Sequence, residues 1–361
     1  MNSLPSAQQL RRRHKLKSTL GLGETLFASA DERHFALALE EGLQLVEKGL
    51  LTEMTFADNL ADVTARYLFE AGGKRIRPTL TLLTAQLGLG NTPEVVVAAQ
   101  AMEITHLASL YHDDVMDDAE VRRGVPSAHS VWGNSVAILT GDLLFARAGR
   151  LIASLGERAV ELQSVTFERL CLGQLHETIG PEPQDDPVEH YLQVLADKTG
   201  SLISAAAQVG VIFSEAPAEL QEPLRVFGEK IGVAFQLIDD VLDLSAEVEE
   251  TGKAPGADLR SGVATLPLLL LRKQAVDDPD AARLLERLER GVQAGPVAAR
   301  ELTAELTAAI ADLRQHPVTR ATLDEAHRWA VEGTTALDAL PKGPVRSALT
   351  RFADTLVERS N

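Results

Sequence analysis

The sequence predicts an all-α fold, one helical domain built around a central cavity. Apolar residues make up 45% of the 361 and aromatic ones only 4%, with the strong helix formers Ala and Leu dominant. Long segments space apolar residues three and four apart, and no alternating run of the kind a half-buried strand needs is present. Two acidic clusters of one pattern, Asp113-Asp114-Val115-Met116-Asp117 and Asp239-Asp240-Val241-Leu242-Asp243, interrupt otherwise apolar stretches. Buried charge has to be paired or bind metal, so these helices are expected to line a polar cavity.

Taken in order, residues 1–30 carry Arg11, Arg12, Arg13, Lys15 and Lys17 with no apolar signal-peptide core behind them, and read as a flexible basic tail able to touch a membrane surface. Residues 31–361 form the domain. Residues 31–70 read as one or two amphipathic helices, broken at Gly72-Gly73. Pro78 is expected to open a helix reaching Leu87, and a longer helix begins near Pro93 and ends in the first acidic cluster. Helices follow at Asn134–Leu155, Val160–Glu177, Val188–Val211 and Leu220–Ala246. A polar loop spans 247–262, and beyond Thr265 helices are interrupted at 277–280, at Gly295-Pro296, at Pro317 and at 342–344. No composition shift marks a domain boundary.

A formal charge of −17 argues against a nucleic-acid partner, although a phosphate pocket in an acidic protein can be locally basic. Nowhere do 18 apolar residues run together, so no transmembrane segment is expected. Cys171 is the only cysteine. It fits a reducing, cytoplasmic setting and is expected to be a small core residue.

On a helix, Asp113 and Asp117 lie on one face, as do Asp239 and Asp243, and such pairs repel unless a cation sits between them. Magnesium suits the position, because it is usually held by one or two carboxylates and the oxygens of a substrate phosphate. A departing diphosphate also needs basic groups. Lys74, Arg75 and Arg77 follow the two glycines of Gly72-Gly73, Arg122-Arg123-Gly124 lies just past the first acidic cluster, and Lys198 and Lys253 stand in glycine-containing segments. His106 is about two turns before Asp113 on the same face.

Together GGKRIRP at 72–78, HLASLYHDDVMD at 106–117, RRG at 122–124, GD at 141–142, KTG at 198–200, FQLIDDVLD at 235–243 and GKAPGADLRSGVATLP at 252–267 resemble the all-trans polyprenyl diphosphate synthases of the medium and long-chain type. The resemblance covers residues 35–361. It implies a bundle of mostly antiparallel helices around a deep cavity, usually a homodimer, that condenses isopentenyl diphosphate with an allylic diphosphate such as farnesyl diphosphate. It further implies up to three Mg2+ ions per active site, held by Asp113, Asp117 and Asp239 with help from Asp114, Asp240 and Asp243. By the same resemblance Arg122, Lys198, Thr199, Gln236 and Lys253 contact the allylic diphosphate, and Lys74, Arg77, His106 and Arg123 the isopentenyl diphosphate. Asp113, Asp114, Asp117, Lys198, Asp239 and Asp240 are the expected catalytic set.

Product length is expected to depend on the helix ahead of the first motif, where Ala108 and Ser109 are small. In the resembling family bulky residues there stop growth early, and the uninterrupted first motif also favours a long product. A heptaprenyl to decaprenyl diphosphate, as a quinone side-chain precursor, is the expected product, with a geranylgeranyl or farnesyl diphosphate synthase as the alternative. A class I terpene cyclase would not need Lys74, Arg77 and His106. A non-catalytic regulatory subunit would lack intact motifs.

Overall fold

A computed structural model of the chain describes residues 30–245, 255–293 and 303–357. The basic tail, the loop containing Lys253 and the Gly295-Pro296 break lie outside them. The described chain is helical, with one two-stranded hairpin, Val121–Arg122 with Val125–Pro126. The helices are α1 (Ala30–Glu53), α2 (Asn59–Glu70), α3 (Ile76–Ala85), α4 (Pro93–Met116), α5 (Ala128–Trp132), α6 (Asn134–Ser154), α7 (Glu157–Ile179), α8 (Pro187–Leu195), α9 (Ser201–Phe213) and α10 (Gln221–Asp243). They continue as α11 (Ala257–Ser261), α12 (Leu266–Gln274), α13 (Pro279–Gln293), α14 (Ala304–Gln315), α15 (Pro317–Ala336) and α16 (Pro344–Val357).

Helix starts follow local chemistry. The Asp58 carboxylate accepts from the backbone N–H groups of Leu60 and Ala61, and Asp186 does the same for Val188 and Glu189 with Pro187 in the first turn. Thr92 caps α4 through Val95 N–H, with Pro93 behind it. Pro78 does not open α3 as expected; the helix begins two residues earlier, at Ile76. Proline fits there because first-turn N–H groups have no partner within the helix.

The residues gather into two compact units. Among those described, the first holds 30–165, 205–225 and 339–352. In it α4 packs against α1, α3 and α6, and Leu50, Leu68, Leu80, Met102, Leu107 and Tyr111 are fully buried. α4 is apolar nearly all round, which is why it is enclosed along most of its length. The Tyr111 ring points away from the Asp113 face: its hydroxyl donates to Thr64 O and accepts from Leu68 N–H on α2.

The second unit holds 166–204, 226–338 and 353–357. One apolar cluster joins Tyr191, Leu195, Val233, Leu237 and Ile238 with Leu266, Ala326 and Val357. Another joins Leu271, Leu288, Leu306 and Leu313. Cys171 is exposed on α7 and is not the core residue it was expected to be. Its neighbour Leu170, about 100° away round the helix, takes the buried position. The expected helix Val188–Val211 is interrupted by a π-turn over Ala196–Gly200.

Candidate active site

A cationic cluster in the first unit grows from the α2–α3 turn. Gly72 and Gly73 have φ of +105° and +154°, and Arg75 is held left-handed at φ +50°. The Arg75 guanidinium bridges Glu47 of α1 and Glu103 of α4, the latter at 3.4 Å, and lies 4.7 Å from the Phe69 ring centre. Arg123, also left-handed, donates to Leu68 O at 2.8 Å and to Gly72 O, and so ties the hairpin to this turn. Arg77 points inward with its Nε buried and without a hydrogen bond.

Burial lowers both Arg77 and Arg123 to a pKa of about 10. His106 is pushed well below its ordinary value, by burial first and then by Arg77, Arg123, Arg122 and Arg75. Arg77, His106 and Arg123 therefore act on one another electrostatically, and Lys74 stands exposed on the same loop. A desolvated donor beside several positive charges is poorly satisfied by protein alone and suits an incoming anion.

The first acidic motif closes α4. Asp117 is the exposed C-cap, and the last turn of α4 carries no basic residue. Asp113 and Asp117 thus sit at the negative end of the helix dipole, where carboxylates are unfavourable without a cation. Asp114 is oriented differently. It is fully buried, and its Oδ1 accepts from Arg122 Nε at 2.6 Å while Oδ2 has no hydrogen bond. Burial raises its pKa, with Arg122 opposing the shift.

The second motif closes α10 in the same way, again with no basic residue in the last turn. Asp240 is buried, and Tyr191 of α8 donates its hydroxyl to Asp240 Oδ2 at 2.7 Å. Burial holds Asp240 well above the usual carboxylate range although Tyr191 pulls it down. Asp243 Oδ2 accepts from Asp258 N–H at 3.1 Å, and its carbonyl from Gly256 N–H at 2.7 Å, so α11 is tied to the motif. Asp239 and Gln236 are half-buried on α10. Lys198, paired with Glu177, and Thr199 lie in the π-turn.

The donor set fits a hard divalent cation, since each helix end offers carboxylate oxygens four residues apart. Sequence reasoning counted Arg75 among the basic groups without giving it a contact, and missed Glu103, Tyr191 and Arg169. Only Arg75 stood inside a quoted motif; the others come from distant segments with no spacing signal.

Helices that end in two DDxxD motifs, with a buried arginine cluster beside the first, point to a helical prenyltransferase. The polyprenyl synthetase family model matches residues 58–301, and the chain belongs to that family. It is 44% identical to the nonaprenyl diphosphate synthase of Mycobacterium tuberculosis, across 90% of this chain and 94% of that protein. The Caulobacter crescentus polyprenyl synthase, solved with calcium and isoprenyl diphosphate, superposes with a TM-score of 0.80 at 32% identity, covering 92% of this chain and 98% of that one. The geranylgeranyl pyrophosphate synthase of Corynebacterium glutamicum, solved with the same ligands, gives 0.78 at 37% identity, covering 92% and 99%.

Proposed function

We propose that this prenyltransferase is a magnesium-dependent synthase that adds isopentenyl diphosphate to an allylic diphosphate and makes a long all-trans product, heptaprenyl to decaprenyl. The observation that carries this reading is the Arg77 Nε, buried and without a hydrogen bond among Arg75, Arg122, Arg123 and His106. That cluster is a ready-made diphosphate site beside the first aspartate helix. The small Ala108 and Ser109 and the similarity to a nonaprenyl synthase support the long product.

In this reading Asp113, Asp117 and Asp239, with help from Asp114, Asp240 and Asp243, hold magnesium, which when bound neutralises charge on the allylic diphosphate. Arg122 and Tyr191 hold the buried Asp114 and Asp240 in place. Arg122, Lys198, Thr199 and Gln236 bind the same diphosphate; the same role, read from the sequence for Lys253, falls outside the described residues. Lys74, Arg77, His106 and Arg123 hold isopentenyl diphosphate so that its double bond meets the allylic carbon. As the allylic C–O bond breaks, positive side chains stabilise the departing diphosphate. The new C–C bond forms, a proton passes to the released diphosphate, and the product is an allylic diphosphate five carbons longer.

A homodimer is proposed as well, supported by exposed Ile138, Leu139 and Leu143 along one stripe of α6. A cytoplasmic location is proposed with it, because a lone cysteine suits a reducing compartment; among the described residues no helix is long and apolar enough to cross a membrane. The test is incubation of the purified chain with magnesium, isopentenyl diphosphate and farnesyl diphosphate, followed by mass spectrometry. Prenyl diphosphates of seven or more isoprene units are expected. Release of hydrocarbon from farnesyl diphosphate alone, or no turnover, would overturn the reading.

A further inference from the structure

We propose that Arg169 is a positioning residue for the allylic diphosphate: its guanidinium locks the π-turn Ala196–Gly200 that carries Lys198 and Thr199. The proposal rests on the assignment of those two residues to the allylic diphosphate made above.

A π-turn inside a helix is less favourable than the α-helix it replaces and is found mostly at functional sites. Something has to hold it. Its closing hydrogen bond runs from Ser201 N–H to Ala196 O, five residues apart. Arg169, projecting from α7, gives one donor to each part of the surrounding structure. Its Nε donates to Asp197 Oδ1 at 2.7 Å, its Nη1 to Glu229 Oε2 of α10 at 2.7 Å, and its Nη2 to Ala196 O at 3.4 Å. The last contact is to the carbonyl that defines the π-turn.

Asp197 is the counterpart inside the turn. It is buried, and its second oxygen accepts from Gln193 Nε2 at 2.8 Å while its carbonyl accepts from Ser201 Oγ at 2.5 Å. The backbone fits closely on both sides. A Cβ on Gly173, one turn beyond Arg169, would lie 2.6 Å from Lys198 N, and one on Gly232 of α10 would lie 2.7 Å from Gly200 Cα. The turn is thus clamped between α7 and α10, with Arg169 as the polar pin.

A planar fork with fixed donors reaches two carboxylates and a carbonyl at once, whereas a lysine is a single point charge. Arg169→Lys should therefore fail to restore what Arg169→Met loses. Glu229→Gln, which weakens one arm and keeps the other two, should give a smaller effect in the same direction.

The experiment measures steady-state kinetics of the full chain with magnesium, varying farnesyl diphosphate and isopentenyl diphosphate separately, for Arg169→Met, Arg169→Lys, Glu229→Gln, Lys198→Ala and the Arg169→Met/Lys198→Ala double variant. The expected result is a roughly 10- to 100-fold loss of kcat/KM for Arg169→Met, read as a raised KM for farnesyl diphosphate with KM for isopentenyl diphosphate unchanged. Arg169→Met should add little once Lys198 is gone, because both changes act through one group. A role confined to folding would lower active fraction and melting temperature and leave both KM values alone; that result overturns the proposal, as does full additivity in the double variant. If Arg169→Met does not fold, Glu229→Gln carries the same test. Lys198→Ala separates the two readings: an unchanged KM for farnesyl diphosphate there sinks the assignment of Lys198 itself, whereas a raised KM for Lys198→Ala with none for Glu229→Gln or Arg169→Met sinks only the role of Arg169.

Discussion

Arg122 Nε and Asp114 Oδ1 meet at 2.6 Å, with the aspartate side chain fully buried and the arginine 27% exposed. The partners are unequal: Arg122 can turn toward solvent if Asp114 is removed, but Asp114 cannot leave the core. Arg122→Met should therefore destabilise by about 3 kcal/mol, the low end for a broken buried pair because Asp114 can take up a proton. Asp114→Asn should cost about 1 kcal/mol. Urea unfolding of the two variants checks the order, and an equal or reversed pair of values would contradict it.

Arg77 should show a conflict between stability and binding. Its Nε is buried without a partner, and relieving an unsatisfied donor is worth about 1–3 kcal/mol. Arg77→Leu is expected to melt at the wild-type temperature or above it. Losing a charge-assisted hydrogen bond worth roughly 1.5–3 kcal/mol should raise KM for isopentenyl diphosphate by at least about tenfold. Calorimetry together with initial rates tests both halves.

His106 makes a pH prediction. Its folded pKa lies well below the 6.5 of the unfolded chain, so as pH falls through 6.5 the unfolded state takes up a proton that the folded state refuses. The contribution is complete above pH 6.5 and declines as pH drops toward the folded value. His106→Gln should flatten the slope of stability against pH between about 5 and 6.5, by at most about 1.4 kcal/mol per pH unit. Urea midpoints of wild type and variant across that range decide it.

Metal removal should abolish condensation. Asp113→Asn and Asp239→Asn are each expected to shift the magnesium concentration for half-maximal rate upward and to lower kcat by about a hundredfold. Rates followed during a magnesium titration, with EDTA as the zero point, check this. Wild-type magnesium dependence in either variant would remove that residue from the metal site.

Ser109 lies one turn before Asp113, and its hydroxyl is turned back to His106 O at 2.9 Å. Ser109→Phe should shorten the product distribution seen by mass spectrometry. Ala108→Phe should do so at a greater loss of stability, about 1–3 kcal/mol for overpacking, because Ala108 is fully buried. An unchanged distribution in both would place the length determinant elsewhere.

Much of the fold was legible because helix formation is local. Period, prolines and glycine breaks marked most helices to within a few residues, and the four-residue aspartate spacing placed Asp113 with Asp117 and Asp239 with Asp243. The π-turn was invisible, since it adds one residue to a helix whose apolar pattern continues on both sides. Pro78 misled because a proline fits anywhere in a first turn. Cys171 misled because a lone small residue does not reveal which face of a helix is buried.

The sequence by itself determined the all-α class and the two acidic helix ends, together with the basic blocks near them, because residues a few positions apart settle those features. Only the tertiary structure decided that Asp114 and Asp240 turn inward to Arg122 and Tyr191, that Glu103 anchors a left-handed Arg75, and that Arg169 pins the turn of Lys198. Each of those outcomes depends on a partner brought close by packing. Burial then sets its strength, because the same contact is worth little in water and much more where water is excluded.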